Sequence, residues 1–217
     1  MNLQFISRAA AKRQTGLSYL GSINSNAKLI KNKKVSNNYT YVLYLAPANE
    51  SGYNVCPYST PECRLGCLST SGKVIMEQVS NRNTIQNARI NKTKLFNEHQ
   101  NFFMRWVIEE MKSYQAKAKR DGYAFSARLN GTSDIEWETI KIDGKTIFEI
   151  FPDVQFYDYT KNWKRYQTEL PENYHLTFSY TGKNEKRCID LLNKGYNVAV
   201  IFNVQKGKQL PEFWNNF

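Results

Sequence analysis

Residues 39–47 (YTYVLYLAP) form a run of β-branched and aromatic side chains closed by Pro47, the pattern of a strand. From about Asn81 to Arg120 the pattern changes period. Leu95, Phe96, His99, Phe102, Phe103, Trp106, Val107, Met111 and Tyr114 recur at spacings of three and four, which predicts a long amphipathic helical region closed by Gly122. Further strands are predicted at 123–129 (YAFSARL), 154–158 (VQFYD), 174–179 (YHLTFS) and 197–203 (NVAVIFN), with a helix at 184–193 (NEKRCIDLLN) that stops at Gly195. Strands alternating with helices, the later strands nearly all apolar, imply a parallel sheet covered by helices. About five strands are too few for a closed eight-stranded barrel, so the expected class is α/β: a partial (β/α) barrel or an open parallel sheet.

In parallel α/β folds the chemistry sits where strands end and loops begin. The polar stretches of this chain fall at those ends: Asn130-Gly131-Thr132-Ser133-Asp134, Asp158-Tyr159-Thr160-Lys161, Ser179 to Asn184, and Asn203. They would line one rim with the loop that follows residue 47.

The 217 residues contain 41% hydrophobic and 14% aromatic side chains, which excludes a disordered, collagenous or disulfide-scaffold protein. Net charge is +11, and its distribution matters more than its size. The first acidic residue is Glu50, so residues 1–49 hold seven basic side chains and nothing to offset them. Residues 1–35 therefore read as a basic N-terminal segment ahead of a single α/β domain at 36–217. Gly16, Gly21 and the Asn/Lys-rich run to Lys34 interrupt the long amphipathic helix of a transit peptide. No apolar stretch approaches the roughly 18 residues of a membrane span. With no export signal, the chain is expected in the cytoplasm, not in a membrane, and its basic balance suits a nucleotide or nucleic-acid partner. Oligomeric state is not legible.

Three of the four cysteines cluster in Cys56-Pro-Tyr-Ser-Thr-Pro-Glu-Cys63-Arg-Leu-Gly-Cys67. In a reducing compartment such clustering points to metal chemistry rather than disulfides. If a helix spans Cys63 to Cys67, the two sulfurs share one face, and Pro57 and Pro61 bend Cys56 toward them. Three thiolates can hold a [4Fe-4S] cluster and leave one iron open. A closed zinc site would need a fourth ligand, from His175 or Cys188, and buried cysteines without metal are the third reading.

Other signals are weaker. Gly66 to Val74 departs from a phosphate loop in both spacing and its last residue. Ser133-Asp134-Ile135-Glu136 fits a helix capping box as well as a ligand site. Lys161 and Arg165, one turn apart, suit either a phosphate or carboxylate or a solvated basic face. The helical region carries nine basic residues against Glu98, Glu109 and Glu110, a pattern that suits a solvated face or a phosphate-backbone contact.

Taken in order, Asn26-Ala27-Lys28-Leu29, Leu45-Ala46-Pro47, Gly52 to Pro57, Arg128 to Asp134, Phe156 to Lys161, Asn173 to Ser179 and Asn197 to Val200 resemble the phage "gene product eighty-eight" family over about residues 24–214. The resemblance implies a phage or prophage origin, hence the host-cell cytoplasm, and family members that continue beyond the equivalent of Trp214. The cysteine pattern is similar to that of phage proteins related to radical S-adenosylmethionine (SAM) enzymes, which share a Cys-x6-Cys start and a partial-barrel fold. Typical radical-SAM enzymes use Cys-x3-Cys-x2-Cys, whereas the spacing here is Cys-x6-Cys-x3-Cys, so neither interval matches its counterpart. By that similarity Cys56, Cys63 and Cys67 would bind a [4Fe-4S] cluster whose open iron chelates SAM for reductive cleavage to a 5'-deoxyadenosyl radical. Asn130, Ser133, Asp134, Tyr159, Lys161 and Ser179 are then the candidate contacts to SAM or to a nucleotide or nucleic-acid substrate. The alternative is a non-enzymatic nucleic-acid-binding or host-interacting phage protein with structural zinc or no metal, gripping its partner through Lys31, Lys33 and Lys34.

Overall fold

The computed structural model describes residues 3–24, 27–67, 73–80, 82–205 and 207–217, and of residues 27, 28, 32–34 and 73 the backbone alone. The predicted strands appear as β2 (Asn38–Leu43), β3 (Ala124–Arg128), β6 (Gln155–Thr160), β7 (Tyr174–Ser179) and β8 (Val198–Ala199), all parallel. A short β1 (Gly21–Ser22) pairs antiparallel with β2, and the sheet order is β1-β2-β3-β6-β7-β8. The parallel strands therefore lie side by side in chain order. With right-handed crossovers, that order directs every connection to the same face and leaves an open sheet rather than a closed barrel. A two-stranded hairpin, β4 (Lys141–Ile142) with β5 (Lys145–Thr146), lies outside the main sheet.

Alternation along the strands separates the two faces. Tyr39, Tyr41 and Leu43 of β2, Ala127 of β3, Phe156 of β6, and Tyr174, Leu176 and Phe178 of β7 enter one core with Phe96, Phe103, Trp106, Val107 and Met111. Those helical residues belong to α5 (Thr84–Glu98) and α6 (Gln100–Asp121), so the expected single helical region is two helices. The break falls at His99, whose φ of −139° and ψ of 54° leave the helical region. Gly122, at φ 72°, closes α6 by donating its N–H to Ala118 O.

The N-terminal residues pack into the same core. Ser7 caps α1 (Arg8–Thr15), and Ala11, Leu17, Leu20 and Ile23 are buried with the sheet and helices. Glu110 of α6, fully buried, accepts the N–H groups of Leu20 and Gly21 and the Tyr41 hydroxyl, each at 2.9 Å. Lys92 donates to Leu20 O at 2.7 Å. The division drawn at residue 35 thus marks a change in charge but no break in packing. The helix α2 (Ala27–Ser36) leads directly into β2. The side chains of Lys28, Lys33 and Lys34, and residues 68–72 of the rejected phosphate loop, lie outside the described residues.

The remaining helices are α3 (Pro61–Leu65), α4 (Lys73–Val79), α7 (Ile147–Ile150) and α8 (Glu185–Asn193). No helix starts at Ser133, which corrects the capping-box reading there; the next helical residues are the 3-10 turn Trp137–Thr139. A true capping box opens α7, where Thr146 and Glu149 satisfy one another's backbone N–H groups.

Candidate functional site

Beyond β2 the chain leads through Ala46, whose N–H donates to Thr93 Oγ1 at 2.9 Å, into a turn closed by Val55 N–H to Ala48 O. Cys56 follows. Thr60 then caps α3 by accepting the Cys63 N–H at 3.1 Å, with Pro61 in the first helical turn where its missing N–H costs nothing. This helix ends at Leu65, so Cys67 lies two residues past it instead of on a shared helical face with Cys63. Cys56, Cys63 and Cys67 are half-buried thiols. Burial pushes the Cys56 thiol up to about 11, and the nearby charges of Asp134, Cys67 and Cys63 add to the rise. Among the described residues, no three Cys, His, Asp or Glu side chains already meet as a metal-ligand group.

Neither fourth-ligand candidate joins them. Cys188 is fully buried in the core beneath α8, with its sulfur 3.8 Å from Asn184 Oδ1. His175 is exposed near the N-terminal end of β7, 3.2 Å from Asn197.

The cysteine loop is bolted to the loop after β3. Asp134 N–H donates to Val55 O at 2.8 Å, Cys56 Sγ donates to Thr132 O at 3.5 Å, and Thr132 Oγ1 donates to Leu45 O at 2.5 Å. Gly131 donates its N–H to Leu43 O at 3.0 Å. A Cβ at Gly131 would stand 2.5 Å from that oxygen and 2.8 Å from the Tyr44 ring, so the approach requires glycine.

Asn130, 2% exposed, organises this loop. Its Oδ1 accepts the Ser133 hydroxyl (2.7 Å), the Ile135 N–H (2.9 Å) and the Trp137 indole N–H (3.0 Å), and its Nδ2 donates to Ile135 O. Asp134 accepts the Lys161 N–H at 2.9 Å and faces Arg165 Nη1 at 3.3 Å. Arg165 is 3% exposed; it grips Glu138 bidentately at 2.7 and 2.6 Å and donates to the Tyr174 hydroxyl at 2.9 Å. Tyr174 in turn reaches Asp158, which also accepts the Asn130 N–H. Burial pushes the Asp134 carboxyl up and takes that of Asp158 to about 7.

The sequence-predicted contacts thus separate. Asn130, Ser133 and Asp134 direct their side-chain bonds into the protein and hold the rim's shape. Tyr159 and Ser179 alternate out of the core, on the opposite sheet face, and Lys161 continues from that strand. Tyr159 is 44% exposed, whereas Ser179 and Lys161 are half-buried.

Two arginines join the rim that were not singled out as site residues. Arg128 of β3 lies over the Tyr159 ring, with Cζ 5.2 Å from its centroid, and its Nε is buried without a hydrogen-bond partner, 3.9 Å from Asp158 Oδ1. Arg89 of α5 lies 5.2 Å from the Tyr44 ring centroid. Its Nη1 is likewise buried without an acceptor, and burial lowers the pKa of its guanidinium, which the charges of Tyr44, Cys67 and Glu50 partly restore. Nothing in the local pattern distinguishes Arg89 from its basic helical neighbours; only the packing of α5 against the cysteine loop does.

No described helix is long and apolar enough to cross a membrane. Neither a curated protein nor a solved structure matches the chain. The family model described as "Gene product 88" matches residues 18–217, which hold the sheet, every described helix after α1 and the cysteine loop. The chain belongs to the Gene product 88 family.

Proposed function

We propose that this is an iron-sulfur protein of radical-SAM-like type, in which Cys56, Cys63 and Cys67 hold a [4Fe-4S] cluster and the substrate is a nucleotide or nucleic acid. The observation that supports this reading is the placement of three half-buried thiols within twelve residues of the loop leaving the first parallel strand, at the strand ends where α/β folds place their ligands. An all-sulfur donor set suits iron-sulfur or zinc chemistry, and three thiolates without a fourth protein ligand suit a cluster with one open iron. When bound, such a cluster supplies the electron for reductive cleavage of SAM.

The protein's own residues have definable parts in this reading. Thr132 O and the Asp134 N–H fix the segment that carries Cys56. Arg89 brings a positive charge within electrostatic range of Cys67, whose thiolate would carry negative charge on metal binding. Asp134 joins the cysteine loop to the end of β6 through Lys161 and Arg165.

Anaerobic reconstitution followed by iron, sulfide and zinc analysis tests the proposal. Iron and sulfide in near-equal amounts, lost in Cys63→Ala, are the expected result. A protein that never takes up iron, or retains it fully after that substitution, overturns it.

The competing reading is a nucleic-acid-binding or host-interacting protein with structural zinc or no metal. It draws on the acid-free N-terminal residues and the exposed Lys12 and Arg13 of α1. It predicts zinc or no metal in the same assay and nucleic-acid binding that weakens steeply with salt.

A further inference from the structure

We propose that Arg128 and Tyr159 form an anion-and-base subsite for a nucleoside phosphate on the sheet face opposite the helices. The inference deepens the proposed function by assigning the residues that would recognise a nucleotide. Its test needs no metal.

Strand alternation and register define the surface. On the face turned away from the core, Thr40 and Val42 of β2 and Ser126 of β3 are buried, and the accessible positions are Arg128 of β3, Tyr157 and Tyr159 of β6, and His175, Thr177 and Ser179 of β7. No carboxylate occurs among these positions. Asp158, the nearest acid, belongs to the other face, is 2% exposed, and gives its Oδ1 to the Asn130 N–H. At 3.9 Å it is beyond hydrogen-bond distance of Arg128 Nε, which has no other acceptor. The guanidinium is thus a partly exposed cation paired with Asp158 by charge at 3.9 Å but not by a hydrogen bond from Nε, on an interior strand of the sheet, near its C-terminal end. That is where open α/β sheets bind ligands.

The chemistry of the pair narrows the ligand. A guanidinium presents a planar fork that matches phosphate, and lying against Tyr159 pre-orients it. The Tyr159 ring, 44% exposed beside this cation, offers an aromatic surface to a planar base. Lys161, two residues beyond Tyr159, adds a second positive charge. A simple inorganic anion would engage the arginine and leave the ring unused, whereas a nucleoside phosphate uses both.

The test is calorimetric titration of the iron-free protein with AMP, adenosine and inorganic phosphate. AMP is expected to bind about tenfold more tightly than either fragment. Arg128→Gln should weaken AMP about tenfold and leave adenosine unchanged, while Tyr159→Leu should weaken both AMP and adenosine. Should Arg128→Gln fail to fold, the exposed Tyr159→Leu decides the matter. The proposal is overturned if AMP fails to bind, if it binds no better than phosphate, or if folded variants bind it like the parent. Iron uptake by both variants is expected to equal that of the parent protein. A chain that takes up no iron yet binds AMP in this way loses the cluster reading and keeps this one.

Discussion

Asp158 accepts hydrogen bonds from the Asn130 backbone and the Tyr174 hydroxyl inside a site that excludes water. Burial raises its pKa from an ordinary 3.8 to about 7, so over that interval the folded state binds more protons than the unfolded chain. The Asp158 contribution to stability then falls as pH rises from about 4 to about 7 and levels off above; Asp134 and Glu110, also raised by burial, act in the same direction, and Glu62 and Glu149, lowered by hydrogen bonds, in the opposite one. Asp158→Asn retains an acceptor for the Asn130 N–H and removes the ionisation. Urea unfolding across that window should show a flatter pH dependence in this variant; an unchanged slope would remove Asp158 as its source. At this scale, residue type was legible and residue role was not. Asn130 stood out as a candidate ligand contact because it follows a strand. Its side-chain oxygen accepts from three donors of its own loop, an arrangement that depends on where Ser133, Ile135 and Trp137 lie in space.

Arg165 lies in the 3-10 turn Trp163–Gln167 and joins elements that are distant in the chain: Glu138 and Asp134 from the segment after β3, and Tyr174 from β7. Replacing it with Met leaves two nearly buried carboxylates without their cation, a loss of about 3 kcal/mol in unfolding free energy. Denaturant titration of Arg165→Met measures this, and a change within about 0.5 kcal/mol would show that the network contributes little. The spacing of Lys161 and Arg165 left a ligand anion and a solvated face equally open. In the structure Arg165 is consumed by protein carboxylates, while Lys161 contributes its backbone N–H to Asp134. Four of the parallel strands were readable because each holds a continuous run of β-forming side chains; the fifth, expected over 197–203, is paired only at Val198–Ala199. Of the other two-residue strands, β1 forms by pairing with β2, and β4 and β5 meet across the Asp143-Gly144 turn, whose two residues both have positive φ.

Over the whole molecule, Glu110 ties the N-terminal residues to the sheet and the longest helix. Glu110→Ala strands the N–H groups of Leu20 and Gly21 and the Tyr41 hydroxyl, and removes a negative charge that offsets part of the burial of Lys92. A destabilisation of about 3 kcal/mol is expected, with faster proteolysis within residues 17–24. Resistance equal to that of the parent would show that the N-terminal residues are held by apolar packing alone. This attachment was invisible in the charge pattern, which set residues 1–35 apart because side-chain charge is a local property and burial is not. Periodicity and composition sufficed for the α/β class, the order of the parallel strands along the chain, and the loop that carries three cysteines, since each depends on near neighbours in sequence. Which polar residues shape the rim and which face outward, the placing of Arg89 within electrostatic range of Cys67 and of Arg128 over Tyr159, and the incorporation of the N-terminal residues were settled only by folding. Those relations join residues tens of positions apart, and only the packed sheet and helices determine their distances and burial.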